Sequence, residues 1–280
     1  MANQGLKSDP RVVYAILLLV ITVPILTHIV IAVPVSPTTL ALYDFVEKLP
    51  PNSLVVESFD YATSVVPELH PQAIIFTQHL FLRPLKVLIV ALDSNGPTLA
   101  DAVLDTVNKE GKIYGTDYAN LGFIPNTATL IGMLSNIPQF LPLDTHGATT
   151  ASLPIIKEFP AAKDASLVIT FDDDGSALQG YLQYWQGAFN VHVAVGATAT
   201  VAPGFMPFYN SGQLVGILIS IRAAAEYESL VSQQYKCCVG LSGASSAMLA
   251  LSMSHFLILA MVVFGNVAYF VSKRTARKGR

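Results

Sequence analysis

Two long apolar runs bracket a patterned interval in this chain. Residues 248–271 (MLALSMSHFLILAMVVFGNVAYFV) carry no charge and lead directly into a tail holding Lys273, Arg274, Arg277, Lys278 and Arg280. Residues 12–35 form the other run, preceded by Lys7 and Arg11 and interrupted by Pro24. Lipid cannot satisfy bare peptide groups, so an apolar run of about 20 residues crosses it as a helix. Both runs are therefore expected as transmembrane helices. Their basic flanks predict a plasma-membrane protein with both termini cytoplasmic and the central domain extracytoplasmic. The first run exceeds the apolar core of a cleavable leader and lacks a convincing cleavage site, which predicts a retained signal-anchor. The expected organisation is a cytoplasmic tail 1–11, a span 12–35, an α/β domain 36–240, a juxtamembrane segment with a second span 241–271, and a basic tail 272–280.

Between the runs, short all-apolar stretches alternate with helical periods. Residues 53–59 (SLVVESF), 86–92 (KVLIVAL), 166–171 (SLVITF) and 191–195 read as strands, the second of them with the continuous apolar character of a strand buried on both faces. Segments 39–49, 61–69, 72–82, 98–109, 127–136, 153–159 and 177–188 read as helices, and 213–234 as a long amphipathic one. Residues 113–124 read as strand plus loop, and 138–151 and 196–209 as irregular loops. The fold class expected is α/β, a mostly parallel sheet covered by helices and flanked by N- and C-terminal transmembrane helices.

Composition sharpens this picture. Mean hydropathy is +0.51, too apolar for an ordinary soluble domain of 280 residues. Between the spans lie nine Lys/Arg against eighteen Asp/Glu, whereas the ends carry seven basic residues and one acid. An acidic middle disfavours nucleic acid, whose phosphates require positive surface. Cys237 and Cys238 are adjacent and are expected as free thiols, because bonding neighbours is geometrically costly. No glycine-rich phosphate loop is present: Ser94-Asn95-Gly96-Pro97 lies in the right place, but Pro97 has no N–H. No cofactor is expected.

The candidate ligand-binding residues are acids that follow predicted strands: Asp60, Asp93, Asp172 and Asp173, with Asp174 behind them. Strand C-termini of a parallel sheet share one edge, where ligands bind. Converging carboxylates suit Mg²⁺, Ca²⁺, an amine or a polyol, and the metal itself is unknown. The ordinary alternative is that they cap helices and build turns. Asp117, Tyr118, Asp144 and His146 supply the inventory of an acyl-transfer site without a Gly-x-Ser-x-Gly elbow to carry it, and His192 reads as structural. Gly243, Ala247, Ala250 and Ser254 form a line of small residues suited to helix packing in lipid. His28 and His255 are intramembrane polar residues at matching depth. Arg222, Glu226 and Glu228 are assigned to the polar side of the 213–234 helix, with Arg222 and Glu226 spaced to pair, and are candidate interface residues.

These readings predict a membrane-anchored structural or accessory subunit, a homo-oligomer or part of a larger membrane complex, in contact with membrane lipid. The alternatives are an extracytoplasmic small-ligand or cation-binding sensory module and a membrane-anchored hydrolase.

Overall fold

The computed structural model describes residues 10–27 and 34–278. They belong to two units, one of residues 32–244 and one of residues 1–31 with 245–280.

The second unit is helical. Helix α1 (Pro10–Thr27) opens the described chain, and its apolar part, Arg11–Thr27, is shorter than a membrane span. At 1.5 Å per residue it covers roughly 26 Å, against a hydrocarbon layer of about 30 Å. The last helix, Ala244–Lys278, contains the apolar segment Ala244–Val271, 28 residues of mean hydropathy 2.2. Among the described residues it alone is long and apolar enough to cross a membrane. This corrects the expected frame. A domain held between two spans, a signal-anchor at 12–35 and termini assigned to the cytoplasm all required a second span. The assignment to an extracytoplasmic side and the reading as a doubly anchored structural subunit fall with it. What stands is an α/β domain with one apolar C-terminal helix, which suggests membrane association. Residues 28–33 of the expected first span, including His28, lie outside the described residues.

The domain holds α2 (Pro37–Glu47), β1 (Leu54–Asp60), α3 (Val66–Leu82), β2 (Lys86–Ala91), α4 (Gly96–Thr106) and β3 (Tyr118–Phe123). Short helices α5 (Thr127–Gly132), α6 (Ile137–Phe140) and α7 (Pro154–Glu158) then lead to β4 (Leu167–Asp172). After it come α8 (Ser176–Gly180), a π-helical turn Tyr181–Gln186, α9 (Gly187–Phe189), β5 (His192–Ala197), α10 (Ala202–Asn210), β6 (Leu214–Ile219) and α11 (Ser220–Tyr235), before the C-terminal helix, α12. The six strands are ordered β3-β2-β1-β4-β5-β6, and every pairing is parallel. Every residue of β1 and β4 is buried, as expected for central strands covered on both faces.

Helices cover both faces. On one, Leu54, Val56, Val168, Val193 and Val195 share a core with Leu130, Leu178, Trp185 and Phe205 from the segments between α5 and α10. On the other, α3 and α11 pack together, with Phe76 against Phe171 and Tyr227. Here α2 lies over β6, where a Cβ on Gly216 would meet the Leu42 backbone nitrogen at 2.8 Å.

Three local expectations are corrected. Residues 214–219 are the sixth strand, not the start of a helix. Residues 202–210, expected in a loop, form α10. Cys237 and Cys238 are joined as a disulfide, not held as free thiols.

Candidate functional site at the junction of β1 and β4

The chain leaves β1 for α3 on one face of the sheet and leaves β4 for α8 on the other. Adjacent strands whose connections diverge open a crevice beyond their C-terminal ends, the usual ligand position in doubly wound sheets. Asp60 and Asp172, the last residues of β1 and β4, are register partners there.

Asp60 is 5% exposed. Its Oδ1 accepts the Leu92 N–H at 2.5 Å, and its Oδ2 accepts the Thr170 hydroxyl at 2.7 Å. The Tyr181 hydroxyl donates to Ser58 Oγ at 2.8 Å, and Ser58 in turn bonds Asp60, so a buried polar chain crosses the ends of both strands. Burial pushes the Asp60 carboxyl up to about 7, against its hydrogen bonds from Ser58, Thr170 and Leu92 and with the help of the Asp172 charge.

Asp172 is fully buried and organises its own loop. Oδ1 accepts the N–H groups of Asp174 and Gly175, and Oδ2 accepts that of Leu178. Burial raises its pKa, and these three donors oppose the rise. Asp173 Oδ2 accepts the Ala62 N–H at 3.1 Å, tying the loop after β4 to the loop after β1. Asp174 Oδ1 accepts the Ser176 N–H at 2.8 Å, a bond that lowers its pKa. Carboxylate oxygens of Asp172, Asp173 and Asp174 lie within 4.8 Å of one another. Asp93 Oδ1 accepts the Asn95 N–H, and Asp93 follows Leu92, the donor to Asp60. Next to it, Gly96 approaches the sheet so closely that a Cβ would sit 2.2 Å from the Phe59 carbonyl oxygen. The structure thus brings Asp60, Asp172 and Asp173 to one edge, with Asp93 beside them. Asp93 and Asp172 also perform the turn and cap duty of the ordinary alternative, whereas Asp60 and Asp173 bond across to other segments. None of the ion pairs among the described residues involves these acids.

The other candidates are dispersed. Glu226 and Glu228 are buried, not part of a solvated polar side of α11. Glu226 accepts the Ser36 N–H and hydroxyl at 3.0 and 2.7 Å and the Arg222 Nε–H at 2.8 Å. Glu228 accepts the N–H groups of Gly240 and Ser242. Gly243 precedes α12 in a left-handed conformation, φ +69°, so only Ala247, Ala250 and Ser254 of the small-residue line lie on that helix. His255 is exposed. Asp144 accepts from the Tyr114 hydroxyl and from the N–H groups of His146 and Ala148, which makes it a loop organiser. His192 starts β5 against the Phe45 ring.

Sequence reasoning missed the polar residues inside the sheet. Glu57, Ser58 and Thr170 sit on strands read as wholly apolar. Glu57, fully buried on β1, accepts only the Thr77 hydroxyl at 2.9 and 3.2 Å, and burial lifts its carboxyl to about 8. Gln72 of α3 donates to the carbonyls of Ala197 and Ser220 while its own Oε1 is buried without a partner. The signal available was a polar residue inside an apolar strand (Glu57, Ser58, Thr170), which buried strands carry only when it is bonded.

The fold is a doubly wound α/β domain with an acidic loop at its switch point. Comparison of the chain with family models, with curated proteins and with solved structures finds no match. The strand order equals that of dinucleotide-binding domains, but the turn after β1, Asp60-Tyr61-Ala62-Thr63, has no glycine to admit a pyrophosphate.

Proposed function

We propose that residues 34–244 bind a small, positively charged ligand, a divalent metal ion or a primary amine, in the crevice beyond β1 and β4. Asp173 and Asp174 supply the rim, Asp173 bonded to Ala62 through Oδ2, and Asp174 bonded to Ser176 and to Asp172. Asp172 shapes the loop, and Asp60 forms the floor. The observation that carries this reading is the pairing of Asp60 with Asp172 at the ends of two strands whose connections diverge, together with the carboxylate oxygens of Asp172, Asp173 and Asp174, which lie within 4.8 Å of one another at the end of β4. Negative charge gathered without a Lys or Arg ion partner favours a cation over a phosphate-bearing ligand.

Calorimetric titration of the full chain in detergent with Mg²⁺, Ca²⁺ and a short alkylamine tests it. An open site of few carboxylates binds hard cations weakly, at about 10⁻⁴–10⁻³ M. The double variant Asp173→Asn/Asp174→Asn is expected to weaken binding by roughly tenfold or more, about 1.4 kcal/mol. No saturable heat with any of the three, or an unaltered double variant, overturns the reading.

A further inference from the structure

Within the helical unit, the N-terminal part of α1 and the C-terminal half of α12 enclose an apolar groove of about 450 Å³, lined by Val12, Val13 and Ile16 from one helix and Met261, Phe264 and Gly265 among others from α12. The volume falls within the range of small-molecule sites, roughly 300–1,000 Å³. Gly265 opens it: a Cβ added there meets no atom within 4 Å.

Basic residues flank the groove on both helices. Arg11 precedes the lining residue Val12. Lys273 stands about 7.5 Å of helix beyond Ala268, which also lines the groove. Its Nζ lies 5.8 Å from the centre of the Tyr269 ring, and Arg274 follows it; the side chains of Arg11, Lys273 and Arg274 are all exposed. We propose that this groove seats an acyl chain of an anionic phospholipid whose phosphate is held by Arg11, Lys273 and Arg274. A lipid tail gains little by leaving its neighbours for an equally apolar wall, so selectivity comes from the headgroup. Basic clusters beside apolar helices hold anionic headgroups by charge. A second copy of the chain would bring its own basic residues to the same end, and like charge opposes that occupant.

The test is native mass spectrometry of the full chain, extracted from vesicles of equal dioleoylphosphatidylglycerol and dioleoylphosphatidylcholine. The wild type is expected to retain phosphatidylglycerol at least tenfold over phosphatidylcholine. Gly265→Leu, which fills the groove, is expected to lose both adducts, and Arg11→Ala/Lys273→Ala/Arg274→Ala to lose the preference. Circular dichroism on both variants checks that helix content is unchanged, and a variant that fails this check is replaced by Ala268→Leu or Lys273→Ala alone. Equal retention of the two lipids by the wild type, or folded variants that retain phosphatidylglycerol as the wild type does, overturns the proposal. A dimer carrying no lipid overturns it in favour of a second copy.

Discussion

Asp60 concentrates the chemistry of the domain in one residue. Its carboxyl titrates near 7 in the folded chain, because burial disfavours the charge more than three donors favour it. An ordinary aspartate titrates near 3.9. The folded state therefore binds this proton more tightly than the unfolded state, and stability contributed by the neutral form is lost as pH rises from about 4 to 7. Asparagine keeps the shape and an acceptor for the Leu92 N–H but carries no charge. Asp60→Asn is thus expected to gain on the wild type by about 2–3 kcal/mol between pH 5 and pH 8. Denaturant unfolding at the two pH values measures it; Glu57, which shifts in the same sense, is present in both proteins and cancels. A constant difference across that range would show that Asp60 is ionised throughout. The sequence places Asp60 at a strand end, yet its partners Ser58 and Thr170 were hidden. The polar residue inside an apolar strand is visible in the sequence, but the partner that satisfies it is seen only once the neighbouring strand is known.

At the scale of elements, α11 shows how a polar segment becomes interior. Ala223, Ala224 and Ala225 are all buried, on a helix that packs against α3, α2 and β6. Glu226, Tyr227 and Glu228 then reach three different places. Glu226 holds Ser36, just before α2. The Tyr227 hydroxyl meets His79 Nδ1 at 2.8 Å, and Glu228 holds the turn before α12. Burial works against the charge of Glu226, but the bonds from Ser36, Thr39 and Arg222 outweigh it, and its pKa is lowered. Glu226→Ala leaves the Ser36 N–H and hydroxyl without their acceptor and is expected to cost about 1–3 kcal/mol. Glu226→Gln, which still accepts, should recover part of that loss in the same thermal melts. The helical periodicity of 213–234 was real only from Ser220 onward. Leu214, Ile217, Leu218 and Ile221 satisfy a 3.6-residue period, and the same run is also a short continuous apolar strand, which periodicity cannot distinguish. In α10, Pro203 at the start and Pro207 inside concealed a helix whose first turn tolerates proline.

Across the whole molecule, the alternation of apolar strands and helices was legible enough to predict a parallel sheet with helices on both faces. The strand order was not, since it depends on which crossovers return to which edge. Nor does hydropathy separate a span from a shorter apolar helix when a proline and a histidine interrupt the run. The apolar segment of α12 is about 42 Å long as a helix, more than the hydrocarbon layer demands. Removing residues 245–280 is expected to shift most of the protein from the alkaline-carbonate-resistant membrane pellet to the supernatant. Retention in the pellet would assign the attachment to the segment around α1.

The strand order has a consequence for synthesis. Val55 of β1 finds its partner Leu167 only after β2, β3 and the helices between have been made. The nascent chain can complete β3-β2-β1 while one side of β1, apolar and lined with unpaired peptide groups, still faces water. Such an edge is the kind that recruits chaperones or joins a neighbouring chain. Emergence of residues 167–172 from the ribosome, rather than completion of either half-sheet, is the event that closes it.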